Sequence, residues 1–394
     1  MTRAYVVTSI KRALHLLPAL LVAVASFAAS TSVSGMQDDL APHEPVSGTY
    51  LGFNIDWASD TPQEVSQRLG LPAASYVDFF SFPLTDDDRL NLGRFLDLVG
   101  MVGGIGIVTL EPIIPLEEIT PQLAEILAME LGGYNERGIR ILVRFAHEMN
   151  GSWYAWSQQP TAYIDAFRTI AKAVHAMAPL TGMLWAPNNG DGYPFSSGAF
   201  RAVPTQPDFA LLDTDGDGAL TERDDPYAPY YPGDDVVDWV GMSLYHWGAA
   251  YPWGENEIPE PNKFIELLRG SHTLDDDRTS RVPDFYAEYV ENRNNPLAIV
   301  ETAAFYRPGA GGADELSIKQ AWWRQVFSAE MLREHPGIKM INWFEWRKQE
   351  PEVNNAIVDW TVTYDEAVVS RFHEDLPVEL LHFAPIDAAH ADTP

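Results

Sequence analysis

From about residue 50 the chain repeats one pattern: a short apolar run, then a longer segment whose apolar positions recur at helical spacing. The runs lack the polar alternation of a strand with one wet face; Ile141-Leu142-Val143 is an example. They read as strands covered on both faces, as in the parallel sheets of α/β proteins. Strands are predicted at Tyr50–Asp56, Tyr76–Phe82, Gly104–Leu110, Ile139–Phe145, Thr181–Ala186, Asp238–Tyr245, Leu297–Val300 and Ile338–Phe344. Helices are predicted between them, among others at Pro121–Glu136, Ala162–Met177 and Ser317–Glu334. Thr120-Pro121 is a helix start, an N-cap residue followed by Pro in the first turn, and Arg137-Gly138 is a stop. Eight strands alternating with helices predict an α/β fold, a (β/α)8 TIM barrel in one domain over 49–385. A doubly wound open sheet is the other arrangement of such a pattern. It is disfavoured because no Gly-rich phosphate loop follows the first strand.

The first thirty residues break the pattern. Arg3, Lys11 and Arg12 precede an apolar stretch from Ala13 to Ala29 with no acid, and small residues at Ala23, Ala25, Ala28 and Ala29 offer cleavage sites. This is the layout of a secretory signal peptide at 1–30, so a secreted, extracellular protein is expected. An uncleaved membrane anchor is the alternative, although the run is short for a span. Residues 31–48 read as a linker, 187–237 as a long loop between the fifth and sixth strands, and 386–394 as a tail.

Charge and composition narrow the function. A net charge of −30 disfavours nucleic acid or anionic lipid as a partner. There is no Cys, so no disulfide framework supports an exported protein. Twelve Trp, sixteen Tyr and eighteen Phe suit a carbohydrate site, but they equally fill cores.

In a barrel the C-terminal ends of the strands form the active face. The predicted strands deliver Asp56 and Trp57, Phe82, Glu111, His147 and Glu148, Trp185 and Asn188, Tyr245 and His246, Glu301, and Trp343 and Trp346. Glu148 in "RFAHE" and Glu301 in "LAIVE" directly follow buried runs, where an acid is costly without purpose. They are either salt-bridged across the mouth, to Arg144 or Arg347, or paired for glycoside hydrolysis, which needs two carboxyl groups facing one bond. A carboxyl beside Trp153 and other rings is partly desolvated, which raises its pKa toward an acid's working range. Tyr245 and a cation such as Arg144 suit a charged partner in Glu301. Glu111, in "VTLEP", is either a hydroxyl ligand or structural, and Trp57 and Trp185 are either stacking platforms or core.

The segment "RFAHEMNGSWYAW" is close to the pattern R-x-x-H-E-M-N-G-x-W-Y-x-W, and with it the chain resembles glycoside hydrolase family 26 over most of residues 50–350. That family of retaining (β/α)8 glycosidases includes β-mannanases and hydrolases of β-glucan and β-xylan. The resemblance implies Glu148 as acid/base, Glu301 in "LAIVETAAF" as nucleophile and Tyr245 in "DWVGMSLY" as the residue hydrogen-bonded to it. It implies substrate binding by Arg144, His147 and Trp153, with an aromatic from "INWFEW" as floor; Trp343 is chosen over Trp346. The expected activity is endo-β-1,4-mannanase-like hydrolysis of a β-linked polysaccharide or oligosaccharide by a monomer. A hydrolase of mixed-linkage β-glucan or β-xylan, or a non-catalytic carbohydrate-binding barrel, are the alternatives. Asn150-Gly151-Ser152 is an N-glycosylation sequon, expected to go unused inside the site motif.

One motif stands apart. In "DTDGDGALTERD", Asp213, Asp215 and Asp217 fall at positions 1, 3 and 5, Gly218 at 6, a carbonyl from Ala219 at 7 and Asp224 at 12. This is the spacing of an EF-hand calcium loop. Pro204, Pro207, Pro226, Pro229 and Pro232 argue against flanking helices, so an isolated structural calcium clip is expected.

Overall fold

The computed structural model describes residues 40–249, 251, 253–272 and 282–386. The proposed signal segment, the first half of the proposed linker and nearly all of the proposed tail lie outside these residues. Eight parallel strands close into a barrel: β1 (Thr49–Ile55), β2 (Ser75–Phe82), β3 (Ile105–Pro112), β4 (Arg140–Phe145), β5 (Thr181–Trp185), β6 (Trp239–Ser243), β7 (Leu297–Thr302) and β8 (Ile338–Glu345). Closure is direct, with Tyr50 to Ile55 of β1 paired in parallel to Met340 to Glu345 of β8. The predicted (β/α)8 fold is observed.

Each strand buries both faces in different company. Leu142, Ile105, Ile107, Val300 and Met340 belong to a small apolar cluster inside the barrel, while Ile141, Val143, Phe145 and Ile341 join the larger core beneath the helices. That double burial is why the runs show no polar alternation. Four helices cover the first half: α1 (Pro62–Leu69), α2 (Asp86–Val102), α3 (Pro121–Asn135) and α4 (Pro160–Met177). Thr61, Thr85 and Thr120 cap the first three through their side chains. The single helix expected over Ser317–Glu334 is two, Glu315–Val326 and Ala329–Glu334. Ser328 interrupts it by accepting a hydrogen bond from Met331 N (3.3 Å), which makes it a new N-cap.

The segment read as a linker is already part of the barrel from residue 41 onward. Trp239 Nε1 donates to Pro42 O (2.8 Å), Lys339 Nζ to Pro45 O (3.1 Å), and His43 Nε2 lies 2.9 Å from Leu180 O. Burial pushes the His43 imidazole down to about 4, so it packs there as a neutral ring. No helix among the described residues is long and apolar enough to cross a membrane.

Candidate active site

Strand β4 turns Arg144 into the barrel and then leaves regular geometry. Ala146 (φ 45°) and Glu148 (φ 52°) adopt the left-handed region, which costs a residue with a side chain free energy unless its surroundings enforce it. They are enforced here. Glu148 N donates to Ala186 O (3.0 Å), Trp156 Nε1 donates to His147 O (2.8 Å), and the Asn150 amide exchanges two hydrogen bonds with the Asn188 backbone (2.8 and 2.9 Å). Asn150 is fully buried with both ends of its amide engaged.

Strand β7 brings up Glu301 by a different device. Val300 points inward with the barrel cluster, so strict alternation would turn Glu301 outward. The pairing register shifts between Ile299 and Thr302 on the β8 side, and between Met242 and Ser243 on the β6 side. Thr302 then faces the helix layer, where Trp322 Nε1 donates to its Oγ1 (3.0 Å), and Glu301 is re-aimed into the mouth. There Tyr245 Oη donates to Glu301 Oε2 (2.7 Å), Arg144 Nη1 bonds Glu301 Oε1, and Arg144 Nη2 donates to Ser243 Oγ (2.7 Å).

The two carboxyl groups sit in unlike surroundings. Burial pushes Glu148 upward, and the charge of Glu301 adds to this; Arg144 and hydrogen bonds from Ser243 and Trp153 partly oppose it. The Trp153 contact is Nε1 to Glu148 Oε2 at 3.0 Å. Glu301 is 7% exposed and meets a guanidinium that is wholly buried. Burial, helped by Arg144, holds His147 well below the usual imidazole range, so it is a neutral ring; its Nε2 lies 3.1 Å from Tyr154 Oη. Glu111 is raised by burial and senses both Arg144 and Glu301, which puts it in the same electrostatic cluster. Arg144, His147, Glu148, Tyr245 and Glu301 therefore form one site.

The aromatic residues divide. Trp153 is 38% exposed, beside Phe195 (ring centroids 5.1 Å apart), and folds over Gly151, where a Cβ would meet its ring at 2.5 Å. Trp343 is not the floor of the site. It lies on the outer face of β8, with no exposure, its Nε1 bonded to Trp360 O (2.8 Å) and its ring against Phe372. Alternation from inward Met340 sends Asn342 and Phe344 inward and Trp343 outward. Phe344 instead contacts Tyr245 (5.8 Å) and stacks on Trp346, whose Nε1 donates to Asn54 Oδ1 (3.2 Å). Trp185 is core, packed on Tyr231, Phe285 and Tyr289. Trp57 packs on Tyr76 and Phe95. Ser243, Asn54 and Tyr154 escaped the sequence reading. The first two were findable, since both fall on inward positions near strand ends.

In the acidic loop, oxygens of Asp213, Asp215 and Asp224 lie within 4.8 Å of one another. Asp217 is outside that group. Its Oδ1 accepts from Ala219 N (2.9 Å), and Arg223 is its nearest cation. Asp224, 2% exposed, accepts from Thr214 N (2.6 Å) and Thr221 N (2.7 Å), which ties the two ends of the loop together.

A family model described as glycosyl hydrolase family 26 matches residues 115–201, the stretch that holds Arg144, His147, Glu148 and Trp153. Endoglucanase H of Acetivibrio thermocellus is 27% identical over 135 residues, which is 32% of this chain and 12% of that protein. The chain thus spans a small part of that relative's length. The GH26C structure from Muricauda sp. MAR_2010_75 superposes with a TM-score of 0.55 at 14% identity, over 88% of this chain and 90% of that one. A Cellulomonas fimi endo-β-1,4-mannanase double mutant gives 0.53 at 15% identity, over 88% and 74%. These structures share the fold. The matched segment is similar to glycoside hydrolase family 26, and the superposed structures share the (β/α)8 fold. The resemblance to glycoside hydrolase family 26 drawn from its motifs is borne out.

Proposed function

We propose that the protein is a secreted, retaining endo-β-glycanase, most simply an endo-β-1,4-mannanase. The observation that carries this is the pairing of two strand-end carboxyl groups in contrasting environments, one raised by burial and the other bonded to Arg144 and Tyr245. A raised, protonated Glu148 gives its proton to the leaving glycosidic oxygen while Glu301 Oε attacks the anomeric carbon and that carbon–oxygen bond breaks. In the second step a water gives a proton to Glu148 and its hydroxyl to the anomeric carbon, and Glu301 leaves as carboxylate. Arg144 and Tyr245 orient Glu301, and Trp153 walls the sugar beside Glu148. Retention calls for a carboxyl separation of roughly 5–5.5 Å.

The test is reducing-sugar release from a panel of β-linked polysaccharides. Release from mannan, with products of retained configuration, supports the reading; no release from any member would leave a non-catalytic barrel. Release from mixed-linkage glucan or xylan instead would favour the second reading, which the likeness to an endoglucanase keeps open. Export follows from residues 1–30 read as a signal peptide.

We also infer that the Asp213–Asp224 loop holds calcium for stability. Three clustered carboxylates suit a hard cation, and Gly216 (φ 72°) and Gly218 (φ 86°) give the sharp turn such a loop needs. Only the folded loop gathers the ligands, so calcium would stabilise by mass action. A chelator should lower the melting temperature, and calcium but not magnesium should restore it. An unchanged melting curve would remove the ion.

A further inference from the structure

We propose that Tyr251 and Trp253, in the loop after β6, form a stacking subsite for a pyranose ring of the β-linked chain, beyond the bond that is cut. The proposal rests on the glycanase reading above and extends it to how far along the polymer the protein grips. Tyr251 is 74% exposed, and Trp247 and Trp253 are half-buried. The rings form a continuous series. Tyr251 and Trp253 have centroids 5.9 Å apart, Trp253 and Trp247 6.5 Å, Trp247 and Trp360 4.8 Å, and Trp360 and Tyr245 5.4 Å. Tyr245 is the phenol bonded to Glu301, so the series runs from open solvent to the reacting centre.

The described residues on either side of these rings are fastened at several points. Lys263 Nζ donates to Gly248 O (2.8 Å), Ala249 N to Glu257 Oε2 (2.7 Å), and His246 Nε2 lies 2.9 Å from Glu257 O. Asn256 then locks the loop to the segment after β7. Its Oδ1 accepts from Arg307 N (2.8 Å), its Nδ2 donates to Arg307 O (3.1 Å), and its carbonyl accepts from Ala313 N (2.8 Å).

The series passes through buried Trp360, so the exposed part is Tyr251 with Trp253, and exposed aromatic faces of this kind are suited to a flat ligand with apolar faces. The overall charge of −30 disfavours an acidic polymer. A neutral sugar ring of the chain already seated over Glu301 satisfies both conditions. The rings beside Glu148, Trp153 with Phe195, are a separate group with no ring contact to this series among the described residues.

The experiment compares kcat/KM on a long polysaccharide that the wild type cuts with kcat/KM on a short activated aryl glycoside. In Tyr251→Ala and in Trp253→Ala the polymer-to-short ratio should fall about tenfold, the order expected for losing one aromatic stacking partner, with the loss mainly in KM. Tyr251→Trp should restore the ratio. Gel retardation by the soluble polysaccharide should weaken in the Ala variants alongside. A ratio equal to the wild type's overturns the subsite, whether both activities stay or both fall together. If the wild type cuts nothing, the glycanase reading fails by itself, and retardation still decides the subsite: retardation equal in wild type and variants overturns it.

Discussion

Glu148 and Glu301 end neighbouring chemistry on strands β4 and β7, and the chain delivers them by opposite means. Glu148 follows its strand in a left-handed conformation, held by backbone bonds to Ala186 and by the Asn150–Asn188 clamp. Glu301 stays within its strand and is re-aimed by a register shift. The first meets an indole N–H and a raised pKa; the second meets a buried guanidinium and a phenol. Two identical side chains thus acquire two chemical characters from their surroundings. The difference locates stored cost as well: the Glu148 side carries backbone strain and desolvation, and the Glu301 side carries a buried ion pair.

Turnover should be the most sensitive probe of that asymmetry. Glu301→Ala should abolish hydrolysis of every substrate, because no covalent intermediate can form. Glu148→Ala should lose about 10²- to 10⁴-fold on polymers, the usual worth of general acid–base assistance, yet spare the first step with a leaving group that needs no proton. Azide should then rescue Glu148→Ala with retained configuration, whereas any azide product from Glu301→Ala should be inverted, because azide there attacks the anomeric carbon in place of the carboxylate. The same response to azide in both variants would erase the division of roles.

Stability should separate the sides next. Arg144→Met leaves Glu301 without its buried partner and should cost about 3–5 kcal/mol by chemical denaturation, as for other buried pairs broken from one side. Glu148→Gln should act with the opposite sign. The folded protein holds the Glu148 proton more tightly than the unfolded chain does, so this group's stabilisation is complete at low pH and fades as pH rises through the raised pKa. Gln removes that loss. The variant should therefore melt higher than wild type on the alkaline side, with the difference shrinking toward acid. A destabilised Glu148→Gln at alkaline pH would mean that Glu148 is not desolvated.

How much of this could be read from sequence also differs between the sides. The barrel was legible because double burial leaves uninterrupted apolar runs, and the β4 motif was legible because its residues are contiguous. The β8 wall was not. Trp343 and Trp346 are alike in composition, and only counting inward positions from Met340 separates the outward ring from the one at the mouth. The Glu301 side hid a subtler trap, since plain alternation from Val300 predicts the wrong face and nothing in "LAIVET" announces a register shift. Ser328 and Asp217 were lost to local hydrogen bonding, a cap in one case and an Asx-type contact to Ala219 in the other.

The smallest expected effect is the most specific to the Glu148 side. Trp153 contributes a ring to the wall and an N–H to Glu148 Oε2 (3.0 Å), and these functions can be divided. Trp153→Ala removes both and should lower polymer kcat/KM about tenfold, the order of one stacking contact. Trp153→Phe keeps an apolar ring over Gly151 and deletes only the donor. That donor favours the charged carboxylate, so without it Glu148 should hold its proton to still higher pH. The alkaline limb of kcat/KM, where Glu148 loses the proton it must donate, should then move upward while the acid limb stays in place. A downward shift, or movement of both limbs together, would show that the indole N–H does not act on Glu148.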